Sequence, residues 1–162
     1  MSVAGIGVDI VEIARMRAVL LRTPRFRERV FTEGERSWCD RRANAAASYA
    51  GCFAAREAVL KALGTGFSDG VTYTDVSVSH DDRGKPIAVL AGRAREIAEE
   101  QGVTEVFISI SHTRELAVAN AVAATPDVVP QRKERGDERA TIAAEFRRAR
   151  RILDDVDREG DA

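Results

Sequence analysis

The spacing of apolar side chains predicts one strand followed by several short helices in the first part of the chain. Residues 3–9 form a β-branched, apolar run that is typical of a strand. Apolar residues then recur at helical spacing over residues 13–20, until Thr23-Pro24 interrupts the pattern. Thr32 with Glu35 three residues later is a capping box, which predicts the start of another helix.

A long central helix is predicted over about residues 43–63. Alanine dominates this stretch, and apolar side chains cover much of the helix circumference. Gly64-Thr65-Gly66 supplies the stop. Because most sides of this helix are apolar, they must pack against other parts of the protein, and we expect the helix to be buried.

After this helix the pattern changes to alternation, which predicts strands. Residues 76–80 and 86–89 flank a turn and form a hairpin. A helix over about 91–101 and two strands, 105–111 and 115–123, follow. The predicted fold class is therefore α+β, with an antiparallel sheet wrapped on the long helix.

The composition changes after Thr125, which predicts a core domain over 1–124, a linker over 125–137 and a tail over 138–162. The apolar residues of the tail recur every three or four positions and predict an amphipathic C-terminal helix: Ile142, Phe146, Ala149, Leu153 and Val156. We expect this helix to pack on its own assembly or to stay partly mobile, rather than to dock a distinct partner.

Composition is that of an ordinary globular domain. Of 162 residues, 44% are hydrophobic and 31% are charged, and no apolar run is long enough to cross a bilayer. We therefore expect a cytoplasmic protein that does not enter membranes. Cys39 and Cys52 lack metal or redox spacing and are predicted to be free thiols, buried or half-buried.

A cationic surface is predicted between residues 15 and 29. The formal net charge of -1 conceals it, because arginines there face a single acid, Glu28: Arg15, Arg17, Arg22, Arg25, Arg27 and Arg29. Such a surface attracts acidic partners, although a solvated helix face is the ordinary alternative. Nucleic acid is the weaker partner, since the segment lacks interleaved aromatic residues and the chain is slightly acidic.

Two carboxylates stand in apolar surroundings where each needs a partner. Asp9 ends the first apolar run, and Glu57 lies in the alanine-rich helix with Arg56 and Lys61 nearby. Two oxygen ligands beside cationic side chains suit a Mg²⁺-bound diphosphate and hence phosphoryl-type transfer. Pairing with Arg56 or helix capping would be the purely structural alternative. The glycines after Leu63 lack the Lys-Ser/Thr of a P-loop, which disfavours ATP or GTP hydrolysis.

Three blocks together resemble the holo-acyl-carrier-protein synthases, the small 4'-phosphopantetheinyl transferases. They are GIGVDIVEI at 5–13, FAAREAVLKALGTG at 53–66, and ISHT at 110–113 followed by AVA at 117–119. No single block is specific to this family. The order and spacing of the three blocks together are specific to it. The resemblance covers about residues 3–123.

This resemblance implies the 4'-phosphopantetheinyl transferase fold and a defined reaction. The enzyme would move the 4'-phosphopantetheine arm of coenzyme A to a serine hydroxyl of an acidic apo acyl carrier protein, with Mg²⁺, releasing adenosine 3',5'-bisphosphate. In the family that the sequence resembles, this reaction serves fatty acid and other lipid biosynthesis. Family members usually complete their sites across the subunit contacts of a homotrimer, which is therefore implied here as well.

The resemblance also implies site residues. Asp9 and Glu57 would hold the metal, Lys61 would contact the diphosphate, and His112 would contact a coenzyme A phosphate or assist the nucleophile; we favour the phosphate. The remaining coenzyme contacts would be Arg56, Gly64, Lys85, Pro86, Ser111 and Thr113. Arg15, Arg22 and Arg25 would bind the carrier. Arg56 replaces the common lysine of the family, which leaves phosphate binding plausible and proton transfer doubtful. His80, at the hairpin, is expected to face solvent.

Two alternatives stay open at this point. One is a different Mg²⁺-dependent enzyme acting on a nucleoside diphosphate, which would share the carboxylates without needing the arginines. The other is a non-catalytic module that binds a carrier protein through the arginines alone.

Overall fold

A long helix packed on a three-stranded sheet organises the part of the chain that carries the site. The computed structural model describes residues 3–66, 68–126, 144, 147 and 148, and the chain divides into two units, residues 1–129 and 130–162. In the second unit Ala144, Arg147 and Arg148 are helical; the rest of the predicted tail and most of the predicted linker lie outside the described residues.

The described elements follow the order expected for an α+β fold. They are β1 (Val3–Glu12), α1 (Ile13–Arg22), α2 (Pro24–Val30), α3 (Glu33–Asp40), α4 (Ala45–Leu63), β2 (Val76–His80), β3 (Pro86–Leu90), α5 (Gly92–Glu100), β4 (Glu105–His112) and β5 (Leu116–Ala124). The mixed class and the antiparallel pairing are confirmed. The strands form two sheets rather than one, a three-stranded sheet in the order β1-β5-β4 and the hairpin β2-β3.

Helix boundaries follow local chemistry. The capping box is present, with Thr32 and Glu35 bonded reciprocally. Asn44 caps α4 by accepting from the Ala47 amide, and Gly64 ends it in the left-handed conformation at φ 75°. The interruption at Thr23-Pro24 does not end the helical region, because Pro24 is the first residue of α2.

Small residues bring α4 onto the sheet. The inward-facing residues of β5 are alanines with no exposed surface: Ala117, Ala119, Ala121 and Ala123. On β1, a Cβ added to Gly5 would lie 1.9 Å from the Ala62 carbonyl oxygen, and one added to Gly7 would lie 1.9 Å from that of Ala58. The Gly-x-Gly of this chain therefore serves helix–strand packing, which fixes β1 against the middle of α4.

The opposite face of the sheet is open and carries several exposed apolar side chains. On β1, Ile6, Val8 and Ile10 are 70%, 51% and 60% exposed, and Phe107 on β4 is also exposed. The register places Ile6 and Phe107 on either side of Val122. The described part of a single chain thus leaves one face of its sheet without cover.

The expectation for the cysteines is confirmed by the core. Cys39 and Cys52 are both buried and free, with their Sγ atoms 3.8 Å apart, and burial and this contact raise the pKa of Cys52. None of the described helices is both long and apolar enough to cross a membrane.

Candidate active site

Asp9 and Glu57 come together because β1 runs directly along α4. Asp9 lies two residues after Gly7, whose missing side chain allows the close approach. The Lys61 ammonium lies one helical turn after Glu57 and donates to Asp9 Oδ1 at 2.8 Å and to the Val8 carbonyl at 3.0 Å. The structure therefore groups the three residues that the sequence singled out, with Lys61 paired to Asp9 rather than to Glu57.

The electrostatics of this carboxylate cluster, Asp9, Glu57 and Lys61, leave Glu57 short of positive charge. Burial raises the pKa of Glu57, the Asp9 charge raises it further, and Lys61 and Arg56 lower it only in part. The hydrogen bond to Asp9 raises the pKa of Lys61. No described residue donates a hydrogen bond to the Glu57 carboxylate. A cation at this position would relieve the repulsion.

This donor set fits a hard divalent cation. Asp9 and Glu57 come from different elements and line one cavity, and the described residues include no group of three or more histidines, cysteines or carboxylates that could hold a metal ion. Mg²⁺ commonly binds one or two protein carboxylates and completes its shell with water and phosphate oxygens. A structural Zn²⁺ site would need four protein ligands.

A cavity of about 480 Å³ opens beside these carboxylates. Arg15 stands at its wall together with apolar residues, among them Val19, Phe26 and Phe53. Phe26 belongs to α2 and packs on Phe53 of α4 with ring centroids 6.3 Å apart. The cavity therefore joins the carboxylate cluster to the arginine-rich helices.

The arginines of α1 and α2 are not equivalent. Arg15, Arg22 and Arg25 are exposed and form no ion pair within the described residues. Arg27, in contrast, binds Asp40 at 2.6 Å, and the Tyr49 hydroxyl donates to the same carboxylate at 2.8 Å. Arg27 thus ties α2 to α3 and α4, whereas the three predicted carrier-binding arginines remain available.

A second cavity, of about 430 Å³, contains His112 and is here named the histidine cavity. Its lining comes from α3, α4, the hairpin and β4: Trp38, Arg42, Ala43, Asn44, Ala47, Ser48, Gly51, Cys52, His80, Gly84, Pro86, Ile110 and His112. The structure thereby brings together His112 and Pro86, both of which the resemblance implies as coenzyme contacts.

Helix α4 stands between the two cavities. Strand β5 separates β1 from β4, so Asp9 and Ile110 flank Ala119, two strand spacings or about 10 Å apart. Because α4 covers β5, the carboxylate cluster lies on one flank of the helix and the histidine cavity on the other; they share no lining residue. One chain does not unite Asp9 and His112 in one site.

Arg56 is a correction to the predicted coenzyme contacts. Its side chain is fully buried, and its Nη2 donates to both oxygens of buried Glu35 at 2.9 Å. Its Nε donates to the Val76 carbonyl at 2.7 Å, and its guanidinium carbon lies 5.2 Å from the centre of the Phe31 ring. A guanidinium so enclosed does not reach a phosphate.

Other predicted contacts divide between the surface and the turns. Gly64 is exposed at the C-cap of α4, and Lys85 is exposed beside Pro86. Ser111 alternates with His112 along β4 and therefore faces the opposite side of the sheet. The Thr113 hydroxyl accepts from the Glu115 and Leu116 amides, at 3.2 and 3.1 Å, and shapes the β4–β5 turn.

His80 was expected to face solvent, and this expectation is wrong. Its half-buried imidazole stacks on the Trp38 indole, with ring centroids 3.8 Å apart and 11° between the planes. Trp38, Arg42 and His80 are the residues of the histidine cavity that sequence reasoning missed. The serine-histidine ending that His80 shares with His112 was the one available signal.

Comparison with known proteins shows the family of this chain. Residues 5–121 match the family described as the 4'-phosphopantetheinyl transferase superfamily. The holo-[acyl-carrier-protein] synthase of Alkaliphilus metalliredigens is 48% identical over 121 residues, which cover 75% of this chain and 98% of that protein. The corresponding protein of Clostridium acetobutylicum is 46% identical over 120 residues, 74% of this chain and 96% of the relative.

Solved structures show the same likeness in three dimensions. The holo-[acyl-carrier-protein] synthase from Neisseria meningitidis superposes with a TM-score of 0.68 at 32% identity, covering 76% of this chain and all (100%) of that chain. The Helicobacter pylori enzyme, solved in complex with coenzyme A, gives 0.64 at 31% identity, over 74% of this chain and 99% of the other.

Proposed function

This chain belongs to the 4'-phosphopantetheinyl transferase superfamily, among the holo-[acyl-carrier-protein] synthases, and we propose that it performs their transfer with Mg²⁺. The arm of coenzyme A passes to a serine hydroxyl of an apo acyl carrier protein, and adenosine 3',5'-bisphosphate leaves. The observation that carries this proposal is the carboxylate cluster, in which Asp9 and Glu57 face one position and Glu57 is unpartnered.

Each residue of the cluster has a defined part. Asp9 and Glu57 would hold Mg²⁺, which when bound supplies a Lewis acid and a template for the diphosphate. Lys61 now shares its charge with Asp9, and its side chain is 51% exposed. When Asp9 serves a metal, this flexible ammonium becomes available to the diphosphate oxygens. The serine oxygen would then bond to the phosphorus nearest the pantetheine and lose its proton to water, as the bond to the bisphosphate oxygen breaks.

The carrier would dock on the exposed arginines. Arg15 borders the carboxylate cavity, and Arg22 and Arg25 extend the same surface along α1 and α2. An acidic helical domain placed there meets positive charge and delivers its serine beside Asp9 and Glu57. Reversing Arg25 to glutamate should slow association and weaken the dependence of kcat/KM on salt, while kcat changes less.

Two observations support assembly as a homotrimer. The apolar face of the sheet, centred on Ile6, Val8 and Ile10, needs cover that the described part of one chain does not supply. The carboxylate cluster and the histidine cavity lie on opposite flanks of α4, so one coenzyme A molecule would need the two halves from neighbouring copies. Assembly would cover the apolar face and would bring the two halves of the coenzyme site together.

The transfer is tested by intact-mass spectrometry of an apo acyl carrier protein incubated with this protein, coenzyme A and Mg²⁺. A gain of one phosphopantetheine that EDTA and Asp9→Ala both abolish is the expected result. A gain that persists with EDTA would refute the metal role. Hydrolysis of coenzyme A without a carrier would instead indicate another enzyme acting on a nucleoside diphosphate.

The shared site is tested by mixing two impaired variants, Asp9→Ala and His112→Ala, under conditions that exchange subunits. In randomly mixed trimers about a quarter of the interfaces would combine an intact Asp9 half with an intact His112 half. We therefore expect activity above that of either variant alone. Activity that never exceeds the average of the parents, in particles shown by light scattering to have mixed, would contradict the shared site.

A further inference from the structure

Two buried thiols meet where helix α3 packs on helix α4. Cys39 lies in the last turn of α3 and Cys52 lies near the middle of α4, and both thiols are free. Their Sγ atoms are 3.8 Å apart, although 13 positions separate the two residues in the sequence. No step of the proposed transfer uses either thiol, so this thiol pair is a nucleophilic group that the proposed function leaves unused.

Contacts on both sides hold the thiol pair in register. The buried Glu35–Arg56 ion pair, with an N–O distance of 2.9 Å, lies on one side, one helical turn from each cysteine. On the other side the Tyr49 hydroxyl donates to Asp40 Oδ1 at 2.8 Å. Both contacts join α3 to α4, so the helices cannot slide past each other without breaking them. The two sulfur atoms are therefore kept together by the fold.

A disulfide bond requires only a small movement from this arrangement. Bonded sulfur atoms lie about 2.0 Å apart, so the two Sγ atoms must approach each other by about 2 Å. A change of χ1 at one cysteine moves its Sγ atom by a comparable distance. The side chains can therefore make the bond while the ion pair and the tyrosine contact stay in place.

The histidine cavity gives a small oxidant access to one of the two thiols. Cys52 lines this cavity, whereas Cys39 does not line it and has no exposed surface. A peroxide is small enough to enter a cavity of about 430 Å³. The two thiols therefore differ in position, because Cys52 meets the oxidant and Cys39 lies behind it.

We propose that Cys39 and Cys52 are a redox-active pair, which a peroxide converts into a disulfide bond that cross-links α3 to α4. The Cys52 thiolate attacks a peroxide oxygen, the O–O bond breaks, one water leaves, and Cys52 becomes a sulfenic acid. The Cys39 sulfur then attacks the Cys52 sulfur, the S–S bond forms, and the sulfenic hydroxyl leaves with the Cys39 proton as a second water. Two thiols are oxidised and one peroxide is reduced to water.

The first of these two steps is the slow one. The hydrogen bond with Cys39 and burial raise the pKa of the Cys52 thiol. The reactive thiolate is therefore a small fraction at neutral pH, and the pair stays reduced until a peroxide is supplied. The second step is faster, because Cys39 is already in contact with the sulfur that it attacks.

The first test treats the folded protein with hydrogen peroxide and then labels it with a maleimide after unfolding. Untreated protein should take up a label on each of its two cysteines, and treated protein should take up none and lose two hydrogens by intact mass. Dithiothreitol should restore both labels. Two chains joined by a disulfide, or oxygen gained on a cysteine in peptide maps instead, would overturn the proposal. So would folded protein that keeps both thiols under conditions that oxidise it in urea.

The order of attack is tested with dimedone, which traps sulfenic acids, in two single variants. Cys39→Ala should give a dimedone adduct at Cys52 and more of it than wild type, because no second thiol consumes the sulfenic acid. Cys52→Ala should give none, because Cys39 does not reach the cavity. An adduct in Cys52→Ala and none in Cys39→Ala would overturn the assignment of Cys52 as the residue that meets the peroxide.

The cross-link itself is measured by thermal unfolding of reduced and oxidised wild-type protein. The oxidised protein should unfold at a higher temperature, because the bond restricts the unfolded chain, and dithiothreitol should reverse the shift. Peroxide should cause no such rise in Cys39→Ala or Cys52→Ala. An equal or lower unfolding temperature for oxidised wild type would show that the bond does not stabilise the contact between α3 and α4. These measurements use neither coenzyme A nor a carrier, so their outcome is independent of the proposed function.

Discussion

Arg56 and Glu57 are neighbours in helix α4 and lie in opposite environments. Arg56 is fully buried, and Glu35, the Val76 carbonyl and the Phe31 ring surround it. Glu57 is half-buried at the edge of a cavity, accepts no hydrogen bond from a described residue, and its pKa is raised by burial and by Asp9. Arg56 has its ion-pair partner within the fold, although its buried Nη1 makes no hydrogen bond, whereas no described residue donates a hydrogen bond to Glu57.

The difference separates a charge that the fold uses from one that the proposed metal site would use. Glu35 also accepts from the Val78 amide at 3.0 Å and from the Thr32 amide at 2.9 Å, so the Arg56–Glu35 pair joins α3, α4 and β2. A buried pair of this kind is costly to break because the remaining partner stays buried and unpaired. The carboxylate cluster instead holds surplus negative charge, which a metal and a diphosphate complex can use.

The largest effect is expected from breaking the buried pair. Arg56→Met should lower the free energy of unfolding by about 3 to 5 kcal/mol, because it leaves the Glu35 charge without its cation. Urea denaturation followed by circular dichroism measures this change. The double variant Arg56→Met, Glu35→Met should recover part of the loss. A single variant as stable as wild type would show that the pair does not stabilise the fold.

Glu57→Gln is expected to have the opposite effect to Arg56→Met, because it should reduce activity without reducing stability. We expect transfer to fall at least about a hundredfold, or about 2.7 kcal/mol, because the proposed metal would lose a charged ligand. Thermal stability at neutral pH should stay equal or rise, because a carboxylate whose pKa is raised in the folded state opposes folding when charged. Glu99→Gln, an exposed change on α5, is the control. A marked loss of stability would instead place Glu57 with the structural charges.

Gly7→Ala sharpens the comparison by moving β1 relative to α4. The new Cβ would lie 1.9 Å from the Ala58 carbonyl oxygen, so the helix must shift, at about 1 to 3 kcal/mol. Because Asp9 and Glu57 lie on these two elements, transfer should fall even in the fraction that remains folded. Gly34→Ala has nothing within 4 Å of its new Cβ and should be tolerated. Equal stability of the two variants would contradict the tight packing.

A smaller effect on stability is expected at Asp75, because its carboxylate accepts hydrogen bonds and forms no ion pair among the described residues. Burial raises its pKa, but donors from Thr72, Arg93 and Ala94 outweigh burial and lower it. The carboxylate caps α5, accepting from the Arg93 amide at 3.2 Å, so Asp75→Ala should cost about 1 kcal/mol near neutral pH.

The sign of the pH effect follows from that lowered pKa. The stabilisation by Asp75 is complete above the unfolded pKa, about 3.9, and is lost as the pH falls through the lower folded value. The stability gap between wild type and Asp75→Ala, measured in urea, should therefore close under acid conditions. A gap that widens below pH 4 would show that charge on Asp75 does not act through capping.

Features with local causes were predictable. The capping box at Thr32, the stop at Gly64 and the hairpin of β2 and β3 depend on residues near in sequence, and all are present. The grouping of Asp9, Glu57 and Lys61 was predicted from residue chemistry and from resemblance. The error at Arg56 arose because Glu35, its partner, lies 21 positions away on another helix. The error at His80 has the same origin, because Trp38 belongs to α3.

The sequence by itself determined the family and the order of every described element except α2, and it predicted the residues of the cluster, because short-range propensities and motif spacing carry that information. Only the tertiary structure decided which charges are buried, because burial depends on residues that meet from distant parts of the chain. It also decided that α4 separates the carboxylate cluster from the histidine cavity, since strand order and helix placement, rather than spacing along the chain, set those distances.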